Sequence, residues 1–314
     1  MALTVGFIGL GVMGSPIAHR ILTSGFPLTV WNRTADKTEP LREAGAVVAA
    51  CPADLARACD VIALCVTDQE AVTGIALGTD GLHTAPGHGQ LVIDHSSIPA
   101  GTTRTVAGRL RAANGISWLD APVSGGTPAA EGGTLTVMAG GSQSDFDRVH
   151  GLMAAYARQI TLMGPLGAGQ ATKLCNQVIV AANVWGVAEA ATLAEAAGIP
   201  PERLLSGLAG GFADTPLLRH FLPHMLDPHD DTLGTLTDLV KDLDTALATA
   251  RTTGTPLPLT AHLAELLRIA NRWTRPRVSG SFIGLLHGPG HTDTQNEDTR
   301  NEDTRDEDTR DDPS

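Results

Sequence analysis

The sequence predicts an α/β fold: a doubly wound, mainly parallel sheet followed by an all-helical C-terminal domain. Short β-branched runs alternate with helical patterns up to about residue 163, as strand–helix–strand crossovers require. Strand-like runs then cease after GPLGAGQ at 164–170, and long alanine- and leucine-rich stretches take over. At 314 residues and 42% hydrophobic content, the chain has the length of roughly two domains and enough apolar side chain to build their cores.

In chain order, strands are predicted over 3–8, 28–31, 61–66, 91–94, 118–121, 135–139 and 160–163. Helices over 13–24, 53–58, 100–114 and 144–155 fill gaps between them, which places the first domain at 1–163. The second domain, 164–288, opens with a proline-free stretch at 171–198 that is apolar around most of its circumference. Such a helix is expected to be buried on nearly all sides, as a central spine. Further helices are predicted over 202–208, 215–226, 235–252 and 260–272. The tail, 289–314, contains NEDTR-type repeats over 296–310 without one apolar residue, so it has no surface to bury and is predicted to be disordered.

The formal charge of -12 is concentrated at that end, where 291–314 holds ten acids against three arginines. No basic footprint suits nucleic acid or an anionic membrane, and neither is expected as a partner. Cys51, Cys59, Cys65 and Cys175 form no C-x-x-C pair and sit in apolar segments, so buried thiols in a reducing cytoplasm are expected, with no metal site. The N-terminal LTVGFIGLGVMG is broken by glycines and lacks a basic flank, unlike a secretory signal.

Gly9, Gly11 and Gly14 form G-x-G-x-x-G directly after a predicted strand and at the opening of a predicted helix. In that setting glycines permit a tight turn, backbone approach to a pyrophosphate and close helix-to-sheet packing, the mark of a Rossmann-type dinucleotide site. The second strand should end some 20 residues later in an acid that holds the ribose hydroxyls. Asn32 stands there instead, followed by Arg33 and Thr34. A neutral amide removes the charge that would repel a 2'-phosphate, and a guanidinium can pair with one, with Lys37 able to share it. NADPH (NADP+) is therefore predicted over NADH. The expected cofactor-binding set in the first domain is Gly9, Leu10, Gly11, Met13, Gly14, Asn32, Arg33, Thr34, Val66 and Ser96.

Three further stretches carry chemistry. DAPVSGG at 120–126 ends in Ser124, Gly125 and Gly126, where a hydroxyl and adjacent exposed amides can cradle a carboxylate or form a plain turn. Lys173 shares a helix face with Asn176 and Gln177 at i+3 and i+4; it either snorkels to the surface or sits in a cleft that tunes it for acid/base work. KDLD at 241–244 adds Lys241, and taken singly reads as a solvated charge cluster.

Taken together, GFIGLGVMG, DAPVSGG, the G-x-G-x-x-x-K of 167–173 with its trailing Asn176-Gln177, and KDL at 241–243 resemble the β-hydroxyacid dehydrogenases in order and spacing. That family includes 3-hydroxyisobutyrate dehydrogenase, tartronate semialdehyde reductase and glyoxylate reductases. TKLCNQVIVAANV is similar to the tartronate semialdehyde reductase branch, and TVWNRT to NADPH-using glyoxylate reductases. The resemblance implies interconversion of a small β-hydroxy acid and its semialdehyde or keto acid, with Lys173 as general acid/base. Ser124, Gly125 and Gly126 would hold the substrate carboxylate, Asn176 or Gln177 would orient substrate and lysine, and Lys241 would line the cleft, binding both cofactor and substrate. It also implies a homodimer or tetramer through the helical domain. RVSGSFIGLL at 277–286 lacks the acid common in semialdehyde reductases. Imine reductases share the cofactor domain but typically lack the serine-glycine turn and the lysine, and a catalytically silent NADPH-binding regulatory protein is a third reading.

Overall fold

The computed structural model describes residues 3–227 and 236–273; the 277–286 stretch and the repeat tail lie outside them. The chain divides into two compact units, the first ending at Asn176 and the second beginning at Gln177.

The first unit runs β1 (Val5–Ile8), α1 (Gly14–Thr23), β2 (Leu28–Trp31), α2 (Glu39–Glu43), β3 (Val47–Val48), α3 (Pro52–Ala58), β4 (Val61–Leu64), α4 (Gln69–Leu77), β5 (Leu91–Asp94) and α5 (Ala100–Asn114). It continues through β6 (Ser117–Asp120), β7 (Val123–Ser124), α6 (Gly126–Gly132), β8 (Leu135–Gly140), α7 (Gln143–Met153), β9 (Ala157–Gly164) and the start of α8 (Ala168–Ala196). The strand order is β3-β2-β1-β4-β5-β6-β8-β7, with β9 on β8. From β3 to β6 every pairing is parallel. That is the 3-2-1-4-5-6 order of a dinucleotide-binding sheet, whose ligand crevice lies at the carboxyl ends of the strands. Beyond it, β8 runs antiparallel to β6 and β7 and parallel to β9.

Alternation along each strand explains the layers. Phe7, Val61, Ala63, Leu91, Ile93 and Leu119 belong to the core shared with Ile17, Ile21 and Val149 of α1 and α7. Their neighbours Ile8, Ile62, Leu64, Val92 and Trp118 face the core shared with Leu55, Val72 and Leu110 of α3, α4 and α5. Both faces being covered, the strands read as nearly continuous apolar runs.

The second unit, among the described residues, is helical: the rest of α8, then α9 (Arg203–Gly207), α10 (Pro216–Leu226), α11 (Leu236–Thr253) and α12 (Pro258–Trp273). Its core joins Val184, Val187, Ala188 and Ala191 of α8 to Leu218 and Leu222, Leu243, and Leu263 and Leu267. Contrary to the expectation of a helix buried on nearly all sides, α8 packs one stripe, and Ile179 and Leu193 are 59% and 71% exposed. An apolar circumference shows which faces can be buried, whereas neighbours decide which are. By length and composition alone α8 could cross a membrane, but that packed stripe is also what a core helix of this composition shows. The cysteines also depart from expectation: all four are free, but Cys59 alone is buried, Cys51 and Cys65 are partly exposed, and Cys175 lies exposed on α8.

The glycine turn after β1 separates two roles. A Cβ on Gly14 would lie 1.9 Å from the Gly9 carbonyl oxygen, whereas a Cβ on Gly11 would meet nothing within 4 Å. Gly14→Ala is therefore expected to lower Tm by at least about 4 °C through backbone overpacking, while Gly11→Ala leaves Tm within about 2 °C of the parent; thermal unfolding of both variants checks this.

Candidate active site

The ends of β1, β2, β4 and β5 carry the cofactor residues that the sequence singled out from the first unit. Gly9 has φ +97, and a Cβ there would fall 2.2 Å from the Cys65 carbonyl oxygen, so only glycine lets β1 and β4 leave the sheet side by side. The open position at Gly11 and the closed ones at Gly9 and Gly14 make a cradle that the pyrophosphate of a dinucleotide fits. Asn32 braces it: its Oδ1 accepts from Leu10 N at 2.9 Å and its Nδ2 donates to Thr34 O at 2.8 Å. Its carboxamide thus frames the turn with both ends engaged by backbone. Arg33, Thr34 and Lys37 project exposed beside it, and Arg33 has no hydrogen bond or ion pair with any of the described residues. Met13 is partly buried at the start of α1.

The ends of β4 and β5 are joined by side chains. Ser96, only 2% exposed, accepts from Val66 N through Oγ at 3.0 Å and donates its own N–H to Asp94 Oδ1 at 2.9 Å. Gln170, 1% exposed in the first turn of α8, donates from Nε2 to Ser96 O at 2.7 Å and accepts from Ile98 N at 3.2 Å. Sequence reasoning named Val66 and Ser96 but missed Gln170. It lies between Gly167 and Lys173 in the motif itself, and a lone polar residue in an apolar first turn was the available signal.

Asp120, the first residue of DAPVSGG, was also missed. Fully buried at the end of β6, it accepts from Gly167 N at 2.7 Å through Oδ1 and from Gln170 N at 2.8 Å through Oδ2. Burial pushes its carboxyl up, against the Gly167, Gln170 and Gly169 amides that pull it down. Each amide is one that the helix itself leaves unpaired. Close approach explains the glycines of this motif: a Cβ on Gly169 would lie 2.3 Å from Met138 O, and Gly167 has φ +94.

So anchored, α8 carries Lys173 back to the strand ends. Its Nζ donates to Val123 O at 3.0 Å, one residue from Ser124. Ser124 Oγ in turn reaches Asn176 Oδ1 at 3.5 Å, and all three side chains are partly buried. The amine neither snorkels freely to the surface nor is fully enclosed. Gly125 and Gly126 follow, exposed, with φ +126 and +68, a backbone that turns on glycine. Lys173, Ser124 and Asn176 therefore converge, from two motifs about 50 residues apart in sequence.

Gln177 and Lys241 belong to the second unit. There Gln177 Nε2 donates to Asp242 Oδ2 at 2.7 Å, and Lys241 Nζ lies 3.6 Å from Asp242 Oδ1. Asp242 is 7% exposed, so KDLD is not the solvated cluster that it reads as in isolation; Asp244 alone of its two acids is exposed. The heptad-like spacing of α11 turns Asp242 inward with Leu243 and Ala246. No group of three or more potential metal ligands gathers among the described residues.

Residues 4–164 match the family described as the NAD binding domain of 6-phosphogluconate dehydrogenase, and 167–277 that described as NAD-binding of NADP-dependent 3-hydroxyisobutyrate dehydrogenase. The 2-hydroxy-3-oxopropionate reductase of Escherichia coli (strain K12) is 36% identical over 262 residues, which cover 83% of this chain and 89% of that protein. The mitochondrial 3-hydroxyisobutyrate dehydrogenase of Mus musculus is 31% identical over 84% of this chain and 81% of its own length. Among solved structures, Mycobacterium tuberculosis 3-hydroxyisobutyrate dehydrogenase with L-serine superposes with a TM-score of 0.81 at 26% identity, covering 92% of this chain and 100% of that one.

Behind the strand ends lies a buried titratable pair. Burial raises the Asp94 carboxyl from 3.8 to about 7, and its Oδ2 has no hydrogen-bond partner among the described residues. Burial lowers the neighbouring His95 imidazole from 6.5 to about 4. His95 Nδ1 lies 2.6 Å from Ala121 O and Nε2 3.0 Å from the Tyr156 hydroxyl. A carbonyl only accepts, so Nδ1 carries the proton and Nε2 accepts from Tyr156. Between pH 3.8 and 7 the unfolded chain ionises Asp94 while the folded chain does not, so this residue makes stability fall as pH rises. For His95 the stability is present above pH 6.5 and is lost as pH falls toward 4, an opposing slope. Asp94→Asn keeps the acceptor for Ser96 N and removes only the first slope. Its Tm is expected to climb from pH 4 to 7 more steeply than that of the parent and to exceed it by several degrees at pH 8. Parallel Tm–pH curves for the two proteins would rule this out.

Proposed function

The chain belongs to the β-hydroxyacid dehydrogenase family and is an NAD(P)-dependent oxidoreductase acting on CH–OH groups, and we propose that it interconverts a small carboxylate-bearing β-hydroxy acid with its semialdehyde or keto acid, preferring NADPH. The single observation that carries the reading is the convergence of a partly buried amine, a serine hydroxyl and two positive-φ glycines at 123–126. Gly9, Leu10, Gly11, Met13 and Gly14 would hold the cofactor's pyrophosphate, Arg33 and Thr34 its 2'-phosphate, and Val66 and Ser96 the remainder. Bound there, the reduced nicotinamide supplies the hydride for the carbonyl carbon.

The chain's own residues do the rest. Ser124 Oγ and the Gly125 and Gly126 amides hold the substrate carboxylate, charge-assisted hydrogen bonds that fix which end of the molecule faces α8. Asn176 orients substrate and lysine, because its side chain reaches Ser124 while that of Gln177 is held by Asp242. Lys173 gives a proton from Nζ to the nascent alkoxide in reduction and takes it back in oxidation, exchanging Val123 O for the substrate oxygen. Names of relatives support a substrate of this class: 2-hydroxy-3-oxopropionate and 3-hydroxyisobutyrate both carry a carboxylate and a reacting oxygen on the third carbon. Exposed apolar side chains of the helical unit, Leu193 and Phe212 among them, support a homodimer or tetramer, and four free cysteines support a reducing cytoplasm.

Steady-state turnover of glyoxylate, succinic semialdehyde, tartronate semialdehyde and 3-hydroxyisobutyrate with both cofactors tests the proposal. Activity is expected on at least one of them and to fall about 10²- to 10⁴-fold in Lys173→Ala. No turnover of any carboxylate-bearing compound, or reduction of a cyclic imine that survives Lys173→Ala, would end it. For the cofactor, Arg33→Ala is expected to weaken NADPH by about 1 to 3 kcal/mol and leave NADH nearly unchanged; equal losses in direct titrations would remove the phosphate role.

A further inference from the structure

DAPVSGG does two things at its two ends. Ser124 stands beside the lysine amine, and Asp120 holds the turn from which the lysine's helix springs. We propose that Asp120 is a positioning residue for catalysis: by binding the free first-turn amides of α8 it sets where Lys173 Nζ stands, and Gln170 transmits that position to the strand ends at Val66 and Ser96. The inference rests on the reading of Lys173 as the acid/base.

Two buried side chains fix the first turn of the lysine's helix. Asp120 is 0% exposed and takes Gly167 N and Gln170 N on separate oxygens, so it restrains both translation of α8 along its axis and rotation about it. Gly140 and Gly169 have no room for a Cβ: one on Gly140 would lie 2.6 Å from Asp120 Oδ1 and 2.7 Å from Gly169 N. Gln170 is one turn before Lys173, and its side chain fastens to Ser96 O and Ile98 N. Ser96 Oγ is fastened to Val66 N. A continuous chain of hydrogen bonds thus runs from the end of β4, through β5 and the helix start, to the end of β6. The amine is two residues past Ala171, whose own N–H bonds Gly167 O in the same turn. A shift of the first turn by one ångström moves Nζ by about as much, enough to cost on the order of 10²-fold in rate when reacting atoms must meet.

The test is a double-mutant cycle on the full-length enzyme with Lys173→Ala, following kcat, NADPH affinity and Tm. Asp120→Asn replaces one acceptor oxygen by an amide that cannot accept from α8. It is expected to lower kcat at least about 10-fold while NADPH Kd stays within about 2-fold. In the Lys173→Ala background the same change is expected to alter the residual kcat by less than about 2-fold, since the group that Asp120 places is already gone. If Asp120→Asn does not fold, Gln170→Met, which keeps volume and removes both side-chain bonds, is put through the same cycle with the same expectation. Equal kcat losses in both backgrounds, or a lowered Tm with unchanged kcat, would overturn the proposal and leave the lysine reading intact. Full kcat in Lys173→Ala alone would overturn both.

Discussion

A buried carboxylate at the end of β6 accepting the unpaired amides of α8 is the contact on which the active-site geometry depends. A helix N-terminus presents N–H groups with a partial positive charge, and an anion placed there is favoured by about 0.3 to 2 kcal/mol as well as by satisfying donors that burial would otherwise orphan. Asp120 answers both needs, which is why an acid can be fully buried at that point. From this follow the glycines that let the helix abut the strands, the polar Gln170 in an apolar turn, and the approach of Lys173 to Val123 O.

The parallel half of the sheet makes such a place available. Six strands in the order β3-β2-β1-β4-β5-β6 bring their carboxyl ends to one edge, where the last carbonyls of β1, β2, β4 and β5 accept from Cys65, Gly9, His95 and Ala121 N and the ladder then stops. Polar side chains take over there: Asn32 at the end of β2, Ser96 and Asp94 at β5, Asp120 at β6. Burial at the end of β5 displaces the titration of Asp94 and of the neighbouring His95 in opposite directions. Hydrogen bonds among these side chains and the backbone pre-set the strand ends beside which the hydroxyl, amine and amides stand.

Much of this was legible in the chain. Apolar runs alternating with helical patterns located β1, β2, β4, β5, β6, β8 and β9; β1, β4 and β5 are buried along their whole length, whereas β2 alternates and β9 is largely exposed or half-buried. The glycine turn, Lys173 and Ser124 were readable because each sits in a short motif whose chemistry constrains neighbours in sequence. What escaped was set by tertiary contact. Val47–Val48 and Val123–Ser124 are two-residue strands with no period to detect, and α6 is bounded by glycines that mimic a loop. Asp120, Gln170 and Asp242 act across 47 to 74 residues, so local pattern could not distinguish them from turn or surface residues. Composition likewise could not say that α8 packs a single stripe.

The central claim is that one side of the lysine's helix is held so that its amine meets a substrate carboxylate's partner oxygen beside Ser124. A crystal structure of the enzyme with NADP+ and an unreactive hydroxy-acid analogue measures this directly. The account predicts the analogue's carboxylate on Ser124 Oγ and the Gly125–Gly126 amides, its hydroxyl oxygen within about 3 Å of Lys173 Nζ, and Asp120 still bound to Gly167 N and Gln170 N. An analogue bound away from Lys173, with the amine left on Val123 O, would contradict it.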